Sequence, residues 1–422
     1  MELVERERET MKIELMRKVD RQLGRPVTYL LSLLVKGRDT LPGEDVQTIV
    51  VSKYFGIGSI TLSTPLLQSL KKRFPDARII FVTFQQNAEL LKLFPFIDEV
   101  ITIRNDTMFQ FIASTAKTLF LFRFRSKIDL FIDMEFFSHY SSLMAWLSGT
   151  RYSVGFHTSL LPRGRLLTHR VAFNPHRYIT EAFHALGQKI GTQKEYPLYK
   201  PNINSNYIHR VSEWLRDKKL RKHEYVVVNT HGTDHLGKLK QWPPEKWTEL
   251  ITRIVKTLKI PIIMTGIKKD YSDIENVINP LPAQISTFVY NTAGEFSLGE
   301  FLALLGMSKF LITIDSGPLH LSQSFGVPCV VLFGPETPIL YGPRKEYDRT
   351  IYMNLYCSPC CNVLEGKKAE CTNPFYNYCM RGIEVEKVWC EVADLNKYIE
   401  EKNHEFEPLS GLRDEEPLSK NM

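Results

Sequence analysis

Apolar and polar positions along this chain change period many times, and each change marks a short element. Compact apolar runs of strand length alternate with longer stretches that place an apolar residue at every third or fourth position. Strands are predicted over 47–52, 78–84, 99–103, 128–132, 151–156, 225–229, 261–265, 288–290, 311–314 and 329–333. Between them helices are predicted over 60–73, 138–149, 176–186, 207–219, 298–305, 319–325 and 384–400, and one after Pro243-Pro244 carries the stripe Trp247, Leu250, Ile251, Ile254, Val255 and Leu258. A shorter helix is expected at 89–94. Strand followed by helix, repeated, is the pattern of an α/β protein with parallel strands covered by helices on both faces.

With 422 residues the chain is too long for one core, and two domains are the natural division. The stretch 187–205, rich in Gly, Pro, Asn and Lys, reads as the connection between them. The expected organisation is a helical extension at 1–46, a first α/β domain at 47–200, a second at 201–383, a bridging helix at 384–403 and a flexible tail at 404–422. Within the extension, Leu15, Val19 and Leu23 share a face, interspersed with Arg17, Lys18, Arg21 and Arg25. Pro26 is expected to break or kink this helix. Residues 27–35 are strongly apolar and flanked by Arg25, Lys36 and Arg38. Such a segment fits an anionic membrane interface, or equally a helical hairpin packed on the protein's own body.

Composition changes this picture little. The chain is 43% hydrophobic and 24% charged, with a formal net charge of +7. That balance favours anionic small molecules or acidic lipid weakly, and no Arg/Lys run is dense enough for a nucleic-acid partner. No run of about 18 apolar residues appears, and MELVERERET lacks the apolar centre of a secretory signal. Six of seven cysteines fall between Cys357 and Cys390. Cys357 and Cys360 have metal-ligand spacing, and Cys371 and Cys379 would complete a four-thiolate structural site; disulfides or reduced thiols are the alternatives.

Candidate chemistry gathers at the ends of predicted strands, where open α/β sheets bind ligands. The first is Lys53-Tyr54-Phe55-Gly56-Ile57-Gly58-Ser59, whose two glycines fall short of a dinucleotide fingerprint. Asp133 and Glu135 follow the strand IDLFI and suit either general-base work or capping of the next helix. Thr230 and His231 follow YVVVN, with Lys240 shortly after, and Asp315-Ser316-Gly317-Pro318-Leu319-His320 opens a helix able to receive phosphate. No Walker A sequence is present, which removes that class of kinase or nucleotidase.

Taken in order, these segments resemble glycosyltransferase family 9, the bacterial heptosyltransferase-like enzymes. The C-terminal match is IDSGPLHLSQSFGVPCVVLFGPETPILYGP, with Asp315, Ser316, Gly317 and His320 in the D-[ST]-G-x-x-H positions, followed by Gly326, Pro328, Phe333, Gly334 and Pro335. SKYFGIGSITLSTPLLQSLKKRFPDARI and IDLFIDMEFFSHYSSLMAWLSGTRYSVGF resemble the family's earlier segments. The resemblance implies a GT-B architecture, two Rossmann-like domains facing across a cleft. It also implies inverting, metal-independent sugar transfer with no cofactor, from a nucleotide-diphosphate sugar such as ADP-heptose to a lipopolysaccharide-core or other lipid-linked surface glycan. The place it implies is cytoplasmic and peripheral, on the inner face of the bacterial cytoplasmic membrane.

On that resemblance Thr230, His231, Lys240, Asp315, Ser316, Gly317, Pro318, Leu319, His320 and Glu336 are expected on the donor side. Lys53, Gly56, Gly58 and Ser59 are expected on the acceptor side. One position departs. Many members carry Asp where this chain has Ser59, and a neutral hydroxyl is poorly matched to base work. Glu135 or Asp133 is then the expected base. The alternatives are a catalytically weak or inactive nucleotide-sugar or glycan-binding protein of the same fold, or a sugar epimerase of related layout.

Overall fold

The computed structural model describes residues 16–35, 40–136, 138–232, 236–361 and 369–402. Leu15, the Lys36 and Arg38 flank of the extension, Thr233 and the tail expected at 404–422 lie outside these residues.

Twelve strands among the described residues form two sheets, each six-stranded and parallel throughout. The first contains β1 (Thr48–Ser52), β2 (Arg78–Phe84), β3 (Glu99–Ile103), β4 (Leu130–Asp133), β5 (Tyr152–His157) and β6 (His169–Ala172). The second contains β7 (Val226–Asn229), β8 (Ile262–Met264), β9 (Val289–Asn291), β10 (Phe310–Ile314), β11 (Cys329–Phe333) and β12 (Arg349–Tyr352). Their orders are β3-β2-β1-β4-β5-β6 and β12-β11-β10-β7-β8-β9. Both are the doubly wound order of a Rossmann domain, so the architecture is GT-B. The central strands are buried on both faces, which is why they read in sequence as short continuous apolar runs.

In each sheet the order reverses between two neighbours, β1 and β4 in the first, β7 and β10 in the second. Ligands bind at such switch points, beyond the C-terminal strand ends. The registers Ser52↔Asp133 and Thr313↔Asn229 bring the residues that follow these strands together. The loops after β1 and β10 each lead straight into a helix, Ile57–Leu62 and Gly317–Phe325, and these two helices pack on one another. One apolar cluster continues from the first domain through both helices to β11.

Several elements differ from expectation for local reasons. The helix predicted over 60–73 starts earlier, at Ile57 after Gly56 at φ +87°, and is divided at Ser63. Pro65, with no N–H to donate, sits in the first turn of the second piece, Thr64–Arg73. Edge strands β6 and β12 are polar and partly exposed, and fall below the strand signal. The helix Met108–Phe120, capped by the Thr107 side chain, is also additional. The last helix, Val385–Glu401, was expected to bridge the domains. Its apolar stripe, Val385, Val388, Val392, Leu395 and Ile399, is instead buried in the core of the second domain.

Residues 16–32 are helical. Pro26 does not break this segment: a π-helical turn at Asp20–Gly24 precedes Arg25–Ser32, and Pro26 falls in the first turn of that second piece. Among the described residues no helix is long and apolar enough to cross a membrane.

Candidate active site

At the first switch point β1 delivers Lys53 and β4 delivers Glu135. Both side chains are buried and form an ion pair, Lys53 Nζ to Glu135 Oε2 at 3.0 Å. The other carboxylate oxygen accepts the backbone N–H groups of Tyr54 at 2.6 Å and Phe55 at 3.1 Å. Glu135 therefore ties down the loop that carries Gly56 to Ser59. The Lys53 ammonium also lies 4.9 Å from the centre of the Phe136 ring, a favourable placement for a desolvated cation.

Beneath Glu135 lies a second ion pair. Asp133 accepts a hydrogen bond from the Ser141 hydroxyl at 2.9 Å and one from the Glu135 backbone N–H at 3.1 Å, and pairs with Arg163. The Arg163 guanidinium also donates to the carbonyls of Phe136 at 2.9 Å and Phe156 at 3.1 Å. Burial pushes the Asp133 carboxyl up to about 6, against the lowering effect of Arg163 and of the Ser141 hydroxyl. Asp133 was expected beside Glu135 as a candidate base. Its carboxylate is wholly enclosed, and what it touches is the support of Glu135. Arg163 itself is 0% exposed and structural.

At the second switch point Lys240 and Asp315 form a buried ion pair at 2.8 Å. Ser316 donates to Asn229 Oδ1 at 3.3 Å and lies 3.2 Å from the Thr313 hydroxyl, which links the ends of β7 and β10. The helix Gly317–Phe325 begins next, with no side-chain cap at its N-terminus and Pro318 in its first turn. Its first backbone N–H groups thus point out with the positive end of the helix dipole. The Leu319 side chain is in the core, so only its backbone can serve a ligand. Thr230 Oγ1 lies 2.6 Å from His231 Nδ1, and His231 Nε2 lies 3.3 Å from Asp273.

The two switch points meet at Gly58 and His320. A Cβ built on Gly58 would lie 2.1 Å from His320 Cδ2, so any side chain there collides with the imidazole. His320 Nδ1 is held 3.0 Å from Gln323 Oε1. Ser59 is buried one residue further into the helix, and a Cβ on Gly56 would come 3.4 Å from its hydroxyl.

Glu336 is buried next to the cysteine loop; burial raises the pKa of Cys360, and neighbouring thiols and the charge of Glu336 add to it. Cys357, Cys360, Cys371 and Cys379 share one neighbourhood. Burial and the other three thiols push Cys379 up to about 12. All seven cysteines are free. Among the described residues no three His, Cys, Asp or Glu side chains stand in a metal-holding group.

The structure therefore brings Lys53, Gly56, Gly58 and Ser59 to the C-terminal edge of the first sheet and Lys240, Asp315, Ser316, Gly317 and His320 to that of the second, with Gly58 and His320 in contact. Sequence reasoning did not find the links between them. Lys53 and Glu135 are 82 positions apart, and Asp133 and Arg163 are 30 apart. The only sequence signal for such pairs is that each acidic residue directly follows a predicted strand.

The family model for glycosyltransferase family 9 (heptosyltransferase) matches residues 123–369. Lipopolysaccharide heptosyltransferase 2 of Salmonella typhimurium is 27% identical over 115 residues, which is 27% of this chain and 33% of that protein. The chain spans about a third to about half the length of the curated relatives it matches at 27–28% identity. Among solved structures, a glycosyl transferase family 9 protein from Veillonella parvula superposes with a TM-score of 0.70 at 20% identity, covering 86% of this chain and 100% of that one. The E. coli ADP-heptose lipopolysaccharide heptosyltransferase II structure superposes with a TM-score of 0.65 at 20% identity, covering 84% and 99%.

Proposed function

The chain belongs to glycosyltransferase family 9, and from that membership we propose that it transfers a sugar from a nucleoside-diphosphate donor to a surface-glycan acceptor. The donor best supported is ADP-heptose, and the acceptor a lipopolysaccharide core or a related lipid-linked glycan, by analogy with the heptosyltransferases it resembles. The observation that carries this reading is the second switch point. A buried lysine–aspartate pair and an uncapped helix N-terminus are set side by side there, against the glycine loop of the other domain. Positive charge of this kind suits a diphosphate, and the glycine at the contact lets the His320 imidazole pack directly on the loop of the other domain.

In the reaction, the acceptor hydroxyl oxygen forms a bond to the anomeric carbon as the bond from that carbon to the diphosphate oxygen breaks. The electron pair leaves on the diphosphate, and the hydroxyl proton passes to a base. Direct displacement inverts the anomeric centre. Lys240 and the N–H groups at Gly317 and Leu319 stabilise the charge that grows on the leaving group, and so supply without a metal what a divalent cation supplies elsewhere. Asp315 holds Lys240 in place. His320, at the domain contact, touches donor and acceptor loop together. Thr230, His231 and Glu336 complete the donor wall.

On the acceptor wall Ser59 stands near the entering hydroxyl and orients it. Glu135 is the carboxylate available as base, and its three hydrogen-bond donors also give it a positioning role over Lys53 to Gly56. The enzyme works at the inner face of a bacterial cytoplasmic membrane, where a lipid-linked acceptor is presented. A donor screen with native membrane glycolipid, read by mass spectrometry, tests the proposal. Addition of one sugar mass with release of the nucleoside diphosphate is expected. Donor binding with no transfer to any acceptor would overturn it in favour of a glycan- or nucleotide-sugar-binding protein.

A further inference from the structure

The N-terminal helix has its faces reversed. The residues it buries are Gly24, Thr28 and Ser32, which recur every fourth position and so form one stripe. That stripe is the small, polar side of the segment. Leu23, Val27, Tyr29, Leu30, Leu33 and Leu34 point away from the protein and are 42–74% exposed. A surface helix that packs on its own domain does the opposite.

This orientation is pinned from three directions. Thr28 Oγ1 lies 2.9 Å from His139 Nδ1. A Cβ on Gly24 would lie 2.7 Å from the His139 Cβ, so the two backbones are in close approach. Asp20, one turn earlier, accepts the backbone N–H groups of His139 at 2.9 Å and Tyr140 at 2.6 Å, capping the helix His139–Leu147. Rolling the N-terminal helix to bury its leucines would break all three contacts. A row of large apolar side chains held outward is more than the scattered exposure of an ordinary surface, and marks an interaction site.

Charge identifies the partner. Lys18, Arg21 and Arg25 are exposed on the same helix. Beside it runs a groove lined by Arg25, Pro26, Tyr29, Leu160, Pro162 and Arg165, with both its charged side chains basic. Leucines and a tyrosine bordered by arginine and lysine match the boundary between acyl chains and anionic headgroups. The site also adjoins the acceptor loop. The Arg17 guanidinium lies 5.9 Å from the Phe55 ring centre, and the helix capped by Asp20 begins shortly after Glu135.

We infer that this helix seats the protein on a bilayer surface containing anionic phospholipid, with its apolar row in the headgroup boundary and the acceptor loop beside it. The inference deepens the sugar-transfer reading and takes its purpose from it, but docking is measurable with no acceptor present. The test is flotation of the full chain with vesicles of phosphatidylcholine alone or mixed with phosphatidylglycerol, alongside a calorimetric titration with ADP. Binding to the mixed vesicles is expected, and the double variant Leu30→Glu/Leu34→Glu is expected to bind them about tenfold more weakly or worse. Lys18→Glu/Arg21→Glu is expected to weaken binding and flatten its salt dependence. Both variants are expected to keep the wild-type response to ADP.

Equal vesicle binding by wild type and the leucine variant would overturn the inference, as would wild type that ignores mixed vesicles. A wild-type oligomer that the leucine substitutions dissociate, without vesicle binding, would assign the row to a second copy instead. Should the leucine variant misfold, the charge variant still decides: unchanged binding to anionic vesicles contradicts the inference. Loss of transfer with intact vesicle binding would count against the enzymatic reading alone.

Discussion

The two switch points of this molecule use the same pair of charges in opposite ways. In the first domain the lysine, Lys53, comes from the loop after β1 and the carboxylate, Glu135, from the loop after β4; the carboxylate accepts from the lysine and from two backbone N–H groups. In the second, the carboxylate, Asp315, sits directly after β10, and it holds Lys240 beside a helix N-terminus that no side chain caps. One arrangement closes upon itself and shapes a loop; the other stands beside backbone donors at a helix start that no side chain caps. An identical strand order can therefore serve two tasks. What decides between them is which charge the strand end supplies and whether backbone donors remain unclaimed.

The largest expected effect comes from emptying the second site. Lys240→Ala removes the cation and leaves Asp315 buried without it, and kcat/KM for the donor is expected to fall on the order of a thousandfold. Steady-state kinetics over a donor titration check this. The matching change in the first site is Glu135→Gln, for which a loss of stability of about 3 kcal/mol is expected as Lys53 is stranded in the interior. Chemical denaturation measures that loss, and turnover measured in parallel divides its two roles. Turnover lost at full stability marks a base alone; a folded variant with unchanged turnover removes Glu135 as base.

A smaller change sharpens the contact between the sites. Gly58→Ala drives a methyl group into the His320 ring. The imidazole must shift to admit it, so about a tenfold loss of kcat/KM is expected, of the size seen when positioning is disturbed and not abolished. His320→Ala on the same scale is expected to weaken donor binding or donor-dependent turnover, and unchanged donor titration and kinetics would reject His320 as a donor residue.

The smallest effect is a slope. Burial raises the folded-state pKa of Asp133 from 3.8 to about 6. Between those values the folded chain holds more of this proton than the unfolded chain does. The contribution of Asp133 is therefore full below about pH 4 and is lost as pH rises through 6. The stability of wild type relative to Asp133→Asn is expected to decline across that window, by no more than about 1 kcal/mol per pH unit. Paired denaturation curves at pH 4, 5, 6 and 7 read it, and a relative stability that climbs with pH would show that Arg163 outweighs burial.

What the sequence disclosed, and what it withheld, follows the same division between local and distant contacts. β1, β4, β7, β10 and β11 were legible because strands covered on both faces are continuous apolar runs. β6 and β12 lie at sheet edges, where half-exposed polar residues erase the signal. Asp315 to His320 was legible as a strand end, turn and helix start because the three are contiguous there. Lys240 was named from its charge and the resemblance, and its bond to Asp315 depends on where the chain returns after β7. The Arg163 role was invisible: a loop arginine reads as solvated until the fold places it under Asp133. The leucines at 30, 33 and 34 were read within one apolar segment, 27–35, with its direction open. That direction is set by His139, more than a hundred positions away, against which only Gly24 and Thr28 fit.

The division of labour between the two sites is tested most directly by calorimetric titration of ADP into wild type, Lys240→Ala and Glu135→Gln under one buffer condition. The expected result is binding about a hundredfold weaker in Lys240→Ala and wild-type affinity in Glu135→Gln. Equal weakening in both, or full affinity in Lys240→Ala, would contradict the assignment of the donor diphosphate to the second switch point.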